Sequence, residues 1–102
     1  MATLYLSHPA CLEHRVPADH PERPARLEAV EKILAHDHFA ALQREEAPRA
    51  EREHLLLAHT EEHVAAIEDA VPGPQERMRP IDPDTWLSAG SWEAALRAAG
   101  AG

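Results

Sequence analysis

Nine prolines stand in this chain against four glycines. Each proline fixes its own φ, removes a main-chain donor and pushes the residue before it away from the helical region. A chain so divided must break often and has few flexible turns. The apolar residues between the breaks are small: of the 102 residues 44% are hydrophobic, many of them Ala, and only 4% are aromatic. Large apolar side chains carry most of the free energy of burial, so this composition builds a thin core. The length suffices for one small domain, and the composition suits a piece of an α/β protein better than a self-sufficient unit.

Between the breaks the chain alternates short extended and helical patterns. Thr3–Ser7 is β-favouring and is predicted as a first strand, stopped by His8-Pro9. A helix is predicted from Pro21 and Glu22, with Leu27, Val30, Ile33 and Leu34 on one face and an end near His36 to His38. Phe39–Leu42 reads as a short helical turn, and Arg44–Pro48 as a loop or an edge strand. Leu55–His59 is a short apolar run that periodicity leaves open between a buried strand end and helix. Thr60 is the expected N-cap of a second helix carrying Val64, Ile67 and Val71, ended by Pro72-Gly73-Pro74. Gln75–Pro83 is read as a long surface loop. A third helix begins at Ser88 or Ser91, either of which can cap it, with a stripe of Trp92, Ala95, Leu96 and Ala99 and a cap at Gly100.

The bulk charge limits the partners. A net charge of −8 repels phosphate backbones and anionic lipid, which argues against direct nucleic-acid or membrane binding, although the eight histidines would reduce that charge near pH 6. The single cysteine, Cys11, excludes an internal disulfide and any Cys-based zinc cage. Met1–Leu6 is too short and lacks the basic flank of a secretion signal, and no apolar run reaches membrane-spanning length. The expected location is the cytosol.

Catalytic patterns are scarce. His59 and His63 are spaced i, i+4, but with Thr60 as cap His59 falls outside the helix, so the pair reads as solvated surface. His36 and His38 read as a dipole-favoured pair at a helix end. No Gly-x-Ser-x-Gly elbow and no glycine-rich phosphate loop is present, and Cys11 has no base partner in sequence. Two segments say more. In His20-Pro21-Glu22-Arg23-Pro24-Ala25-Arg26-Leu27, Arg23 and Arg26 share a helix start, where a cation opposes the dipole. They are either held by a carboxylate or carbonyl cluster or simply solvated. In Asp82-Pro83-Asp84-Thr85-Trp86 and the following Leu87–Glu93, a rigid loop carries acids that can accept amide hydrogen bonds from a ligand, or that form an Asx turn.

Together these segments resemble the N-terminal region of the histone deacetylase and acetylpolyamine amidohydrolase superfamily, nearer its bacterial and class II-like members. The matching stretches are Leu4–Pro9, His20–Leu27, Leu57-Ala58-His59-Thr60 with His63-Val64, and Asp82–Leu96, in family order along nearly the whole chain. The resemblance implies the N-terminal part of an arginase-like three-layer α/β/α fold around a parallel sheet, mostly helical here with one or two short strands. It implies zinc-assisted hydrolysis of an acetyl-amide, in acetyl-lysine or an acetylated polyamine, with zinc polarising the carbonyl and a histidine as base. By position, Asp84 matches the rim aspartate that holds the substrate's backbone amides, and Arg26 an arginine lining the internal channel below the active site.

The departures matter as much. The family's paired histidines, its zinc-binding Asp-x-His, its second zinc aspartate and its transition-state tyrosine all follow the region covered by residues 1–102. Tyr5 is the only tyrosine and sits in the first strand. The expectation is therefore an incomplete N-terminal portion of a deacetylase domain, without zinc in this stretch, inactive by itself and prone to self-association through uncovered helix faces. The run Ala98–Gly102 directly after an amphipathic helix agrees with a shortened chain. The alternatives are a non-catalytic helical interaction or dimerisation module derived from such an enzyme, and a small His-rich metal-buffering protein.

Overall fold

The first strand, β1 (Leu4–Ser7), starts one residue later than the pattern suggests. The computed structural model describes residues 2–102, and Met1 lies outside them. His8 ends the strand by turning its ring back on the chain: Nδ1 accepts from the Ala10 N–H at 3.0 Å and caps a 3₁₀ turn over Pro9–Glu13. Helix α1 spans Pro24–Leu34 rather than starting at Pro21. The second proline is the reason. Arg23 precedes Pro24 and is held extended at φ −146°, ψ 160°, so the helix begins only with Pro24 at its first position.

The other end of α1 closes at Leu34, short of His36, and a 3₁₀ turn follows over Asp37–Phe39. Arg44, from the next strand, donates to the carbonyl oxygens of Leu34 and Phe39, satisfying a helix end that would otherwise face solvent. Its guanidinium also lies 5.6 Å from the Tyr5 ring centroid. That strand, β2 (Gln43–Glu46), settles the open reading of 44–48: it pairs parallel with β1, from Leu4↔Gln43 to Ser7↔Glu46, with α1 as the crossover. Parallel strands normally have both faces covered. Here every residue of β2 is exposed.

Leu55–His59 is not a buried strand end. Arg52–Leu55 forms a single helical turn, α2, and the chain then turns outward with Leu57 87% exposed. Thr60 caps α3 (Glu61–Ala70) as expected, its Oγ1 accepting from the His63 N–H at 3.1 Å. The stretch read as a loop contains a strand: β3 (Arg79–Asp82) pairs antiparallel with β4 (Thr85–Leu87) through a Pro83-Asp84 turn. Pro80 is tolerated because a two-stranded ribbon has only edge strands.

Helix α4 spans Ser91–Ala101, with Gly90 at its N-cap position and Gly102 closing it. Neither Ser88 nor Ser91 caps the helix. Instead the Ser88 N–H donates to Ser91 Oγ at 2.7 Å, and both serines are buried. Gly100 lies inside α4, where the chain at Pro48–Ala50 comes too close for a side chain. Along that contact the Ala50 N–H donates to the Leu96 carbonyl at 2.9 Å, and Ala47, Ala50, Ala94 and Leu96 are buried together with Val64 and Leu87.

The packing leaves much uncovered. The radius of gyration is 15.2 Å, against about 13 Å for a compact domain of this length. The accessible surface is 7378 Å², where a globular monomer of this mass shows about 5,700 Å². The apolar stripe of α1 forms as predicted, yet Val30 is 45% and Ile33 62% exposed. Among the described residues no helix is long and apolar enough to cross a membrane.

Candidate functional site

The chain from Pro17 to Leu27 separates two hollows. Pro17, Asp19, His20 and Pro21 line an open one with Pro83, Asp84 and Trp86. Glu22, Arg23, Arg26 and Leu27 line the other, about 340 Å³, with Cys11, His14, Leu87 and Ala94. Strand alternation in β4 divides the two, since Trp86 faces one and Leu87 the other. The structure therefore places Asp84 and Arg26 in neighbouring hollows, not in a single pocket.

Asp84 occupies the second position of the β3–β4 turn. Its N–H donates to Asp82 Oδ1 at 2.8 Å, so the Asx turn considered from the sequence is present. Its carbonyl oxygen accepts from His20 Nε2 at 2.7 Å across 64 residues of chain. Both main-chain groups are thus occupied, while among the described residues no hydrogen bond or ion pair engages the exposed carboxylate. The main chain of Asp84 is held while its carboxylate is left to the solvent. The Asx turn uses the Asp84 N–H and leaves the Asp84 carboxylate unengaged.

Arg26 is held by Glu22, whose Oε2 accepts from Nε at 3.0 Å and lies 2.9 Å from Nη2. Arg23 donates from Nη1 to the Ala18 carbonyl at 3.2 Å. The cation-against-dipole problem is answered by one carboxylate and one carbonyl, both at the surface. At the inner wall of the same hollow, burial and then the Glu31 carboxylate push the Cys11 thiol above its ordinary pKa.

The same wall carries a hydrogen-bond cluster that no spacing foretells, with His14 and Ser91 lining the hollow. His14 Nδ1 and Ser91 Oγ are 2.6 Å apart, the Arg15 N–H donates to Ser88 Oγ at 2.8 Å, and the Ser88 hydroxyl donates to the Glu13 carbonyl at 3.1 Å. It ties the segment after β1 to the start of α4. Gly90 belongs to the same joint: a Cβ there would run into the Glu13 main chain.

The histidine pairs are surface features. The rings of His59 and His63 are 4.9 Å apart and those of His36 and His38 4.6 Å, all four residues exposed. Among the described residues no three His, Cys, Asp or Glu side chains converge on a point that could hold a metal ion.

The histone deacetylase domain family matches residues 20–102. The chain belongs to the histone deacetylase family. The crystal structure of the HDA15 HD domain superposes with a TM-score of 0.82 at 29% identity, covering 99% of this chain and 30% of that one. No curated protein matches. The mixed helices and small sheets are thus part of a deacetylase-like α/β fold, and the chain spans about a third of the length of that relative.

Proposed function

We propose that this chain is the N-terminal portion of a zinc-dependent deacetylase that acts on acetyl-lysine or acetylated polyamines, nearest the class II-like members of the family. The observation that carries this reading is Asp84: a carboxylate on a turn pinned at both main-chain groups, with its own oxygens unengaged. In this role Asp84 accepts hydrogen bonds from the substrate's backbone amides at the rim, and Arg26 lines the channel beneath. The deacetylase family is generally zinc-dependent. Among the described residues no three candidate ligands converge. On this reading the metal and the general base belong to the remaining part of the domain, the chain alone is inactive, and it resides in the cytosol.

The test is to read the coding sequence past Gly102 in all three frames and to assay the chain on an acetyl-lysine peptide with added zinc. Support is a downstream paired-histidine segment followed by Asp-x-His, with no turnover by the chain alone above a zinc blank. Turnover by the 102 residues themselves, or downstream sequence without those residues, would overturn it. The second reading, a non-catalytic module that self-associates, is favoured by the exposed Ile33 and Leu57.

A further inference from the structure

Apart from the Asx bond from the Asp84 N–H to Asp82 Oδ1, the β3–β4 turn has little to fix its shape. Two-residue hairpin loops match the twist of their strands when the first central residue has positive φ. Here that residue is Pro83, whose ring forbids it, and no residue other than glycine has positive φ among those described. The ribbon is also irregular, with a register shift between Pro80 and Asp82. The Asx bond shapes such a turn locally, and a tie from outside is needed to hold it against the rest of the chain.

The external tie is His20. Its Nδ1 accepts from the Glu22 N–H at 3.1 Å, so in this geometry the proton sits on Nε2, which donates to the Asp84 carbonyl at 2.7 Å. His20 is half-buried. We propose that His20 is the positioning residue for Asp84: its ring, in the Nε2–H form, clamps the rim turn to the chain leading into α1. This rests on the reading of Asp84 as the substrate-holding carboxylate. The clamp also ties the hollow holding Asp84 to the segment that carries Arg26, so the rim and the channel wall share one support.

The test uses the full 102-residue chain, labelled with ¹⁵N. Long-range ring spectra are expected to show Nδ1 bare and Nε2 protonated at His20. His20→Phe keeps the ring's bulk and removes the donor, whereas His20→Gln restores an N–H. The expected result is amide exchange at Asp84 and Thr85 faster by about tenfold in His20→Phe, the loss of one hydrogen bond, with His20→Gln close to the parent. Should His20→Phe leave residues 82–86 unchanged, or His20→Gln disturb them equally, the clamp is overturned. The substrate reading is tested apart from it, by the affinity of an acetyl-lysine peptide for Asp84→Asn in a complete domain. If exchange responds at His20 and that affinity does not change, it is the rim assignment that fails and the clamp on the turn that stands.

Discussion

Gly100 and Pro48 meet backbone to backbone: a Cβ on Gly100 would fall on the Pro48 carbonyl oxygen and stand 2.7 Å from its carbon and 2.8 Å from the Ala50 nitrogen. Intrinsic propensity alone makes Gly→Ala inside a helix favourable by about 1 kcal/mol. Here the collision is with main chain, which cannot swing aside, and the Ala50–Leu96 hydrogen bond lies in the same contact. Gly100→Ala is expected to destabilise the fold by about 1–3 kcal/mol, the usual range for overpacking. Urea denaturation followed by circular dichroism measures it, and a variant as stable as the parent would show that α4 does not seat against residues 48–50.

The Ser88–Ser91 cluster gives a second expectation. Ser91→Ala removes the acceptor of the buried Ser88 N–H and the partner of His14 Nδ1, at a cost of about 1–3 kcal/mol. Ser88→Ala strands the Arg15 N–H and the Glu13 carbonyl. Because the two hydroxyls lie 3.3 Å apart, the double variant is expected to lose less than the sum of the singles. Strict additivity in the denaturation midpoints would rule the shared network out.

What the sequence made legible here follows the range of the interactions. Thr60 as a cap, the apolar stripe of α1 and the break at Pro72 are governed by neighbours within a few residues, and each was readable. α1 starts later than Pro21 because two prolines compete and the second prevails through its effect on Arg23. The β3–β4 ribbon is not legible in the sequence because proline marks a break without saying whether an edge strand lies beside it. His20–Asp84 and Ser88–Glu13 join residues 64 and 75 positions apart, and no periodicity carries such pairs. Family resemblance could point to Asp84 and Arg26 but not to the histidine that holds the turn.

Cys11 is expected to behave as a sheltered thiol. Burial, with Glu31 second, raises its pKa above the ordinary 9.0. A raised folded-state value favours the neutral form, so its contribution to stability is complete below pH 9.0 and is lost as pH climbs through the folded value. Alkylation by iodoacetamide at pH 8 should be several-fold slower than in the urea-unfolded chain, because the thiolate is the nucleophile. Equal rates would mean that the wall of the hollow does not enclose the sulfur.

Arg52 links α2 to α3, donating from Nε to Glu61 at 2.8 Å and from Nη1 to Glu68 at 3.2 Å. Hydrogen bonding from Arg52 holds the Glu61 carboxyl below its ordinary 4.5. A depressed value contributes stability above pH 4.5 that is lost as pH falls through the folded value. Glu61→Gln should therefore melt slightly below the parent at pH 7 and together with it near pH 3. The groups are exposed, so the gap at pH 7 is small. A gap that persists at pH 3 would assign the effect to helix capping instead.

The uncovered apolar surface gives the last expectation. Ile33 on α1 and Leu57 after α2 are 62% and 87% exposed, and the accessible area exceeds that of a compact monomer of this mass. Exposed side chains make few contacts within the chain, so Ile33→Lys and Leu57→Lys should change the denaturation midpoint little. Both remove apolar area from any contact between copies and add a charge that must be desolvated there. Sedimentation equilibrium is expected to show the parent self-associating in the micromolar range, about −8 kcal/mol of association free energy, and the double variant shifted towards monomer. A parent that stays monomeric at high concentration would show that these faces need a different surface, such as the remainder of a deacetylase domain, and would count against the self-associating module.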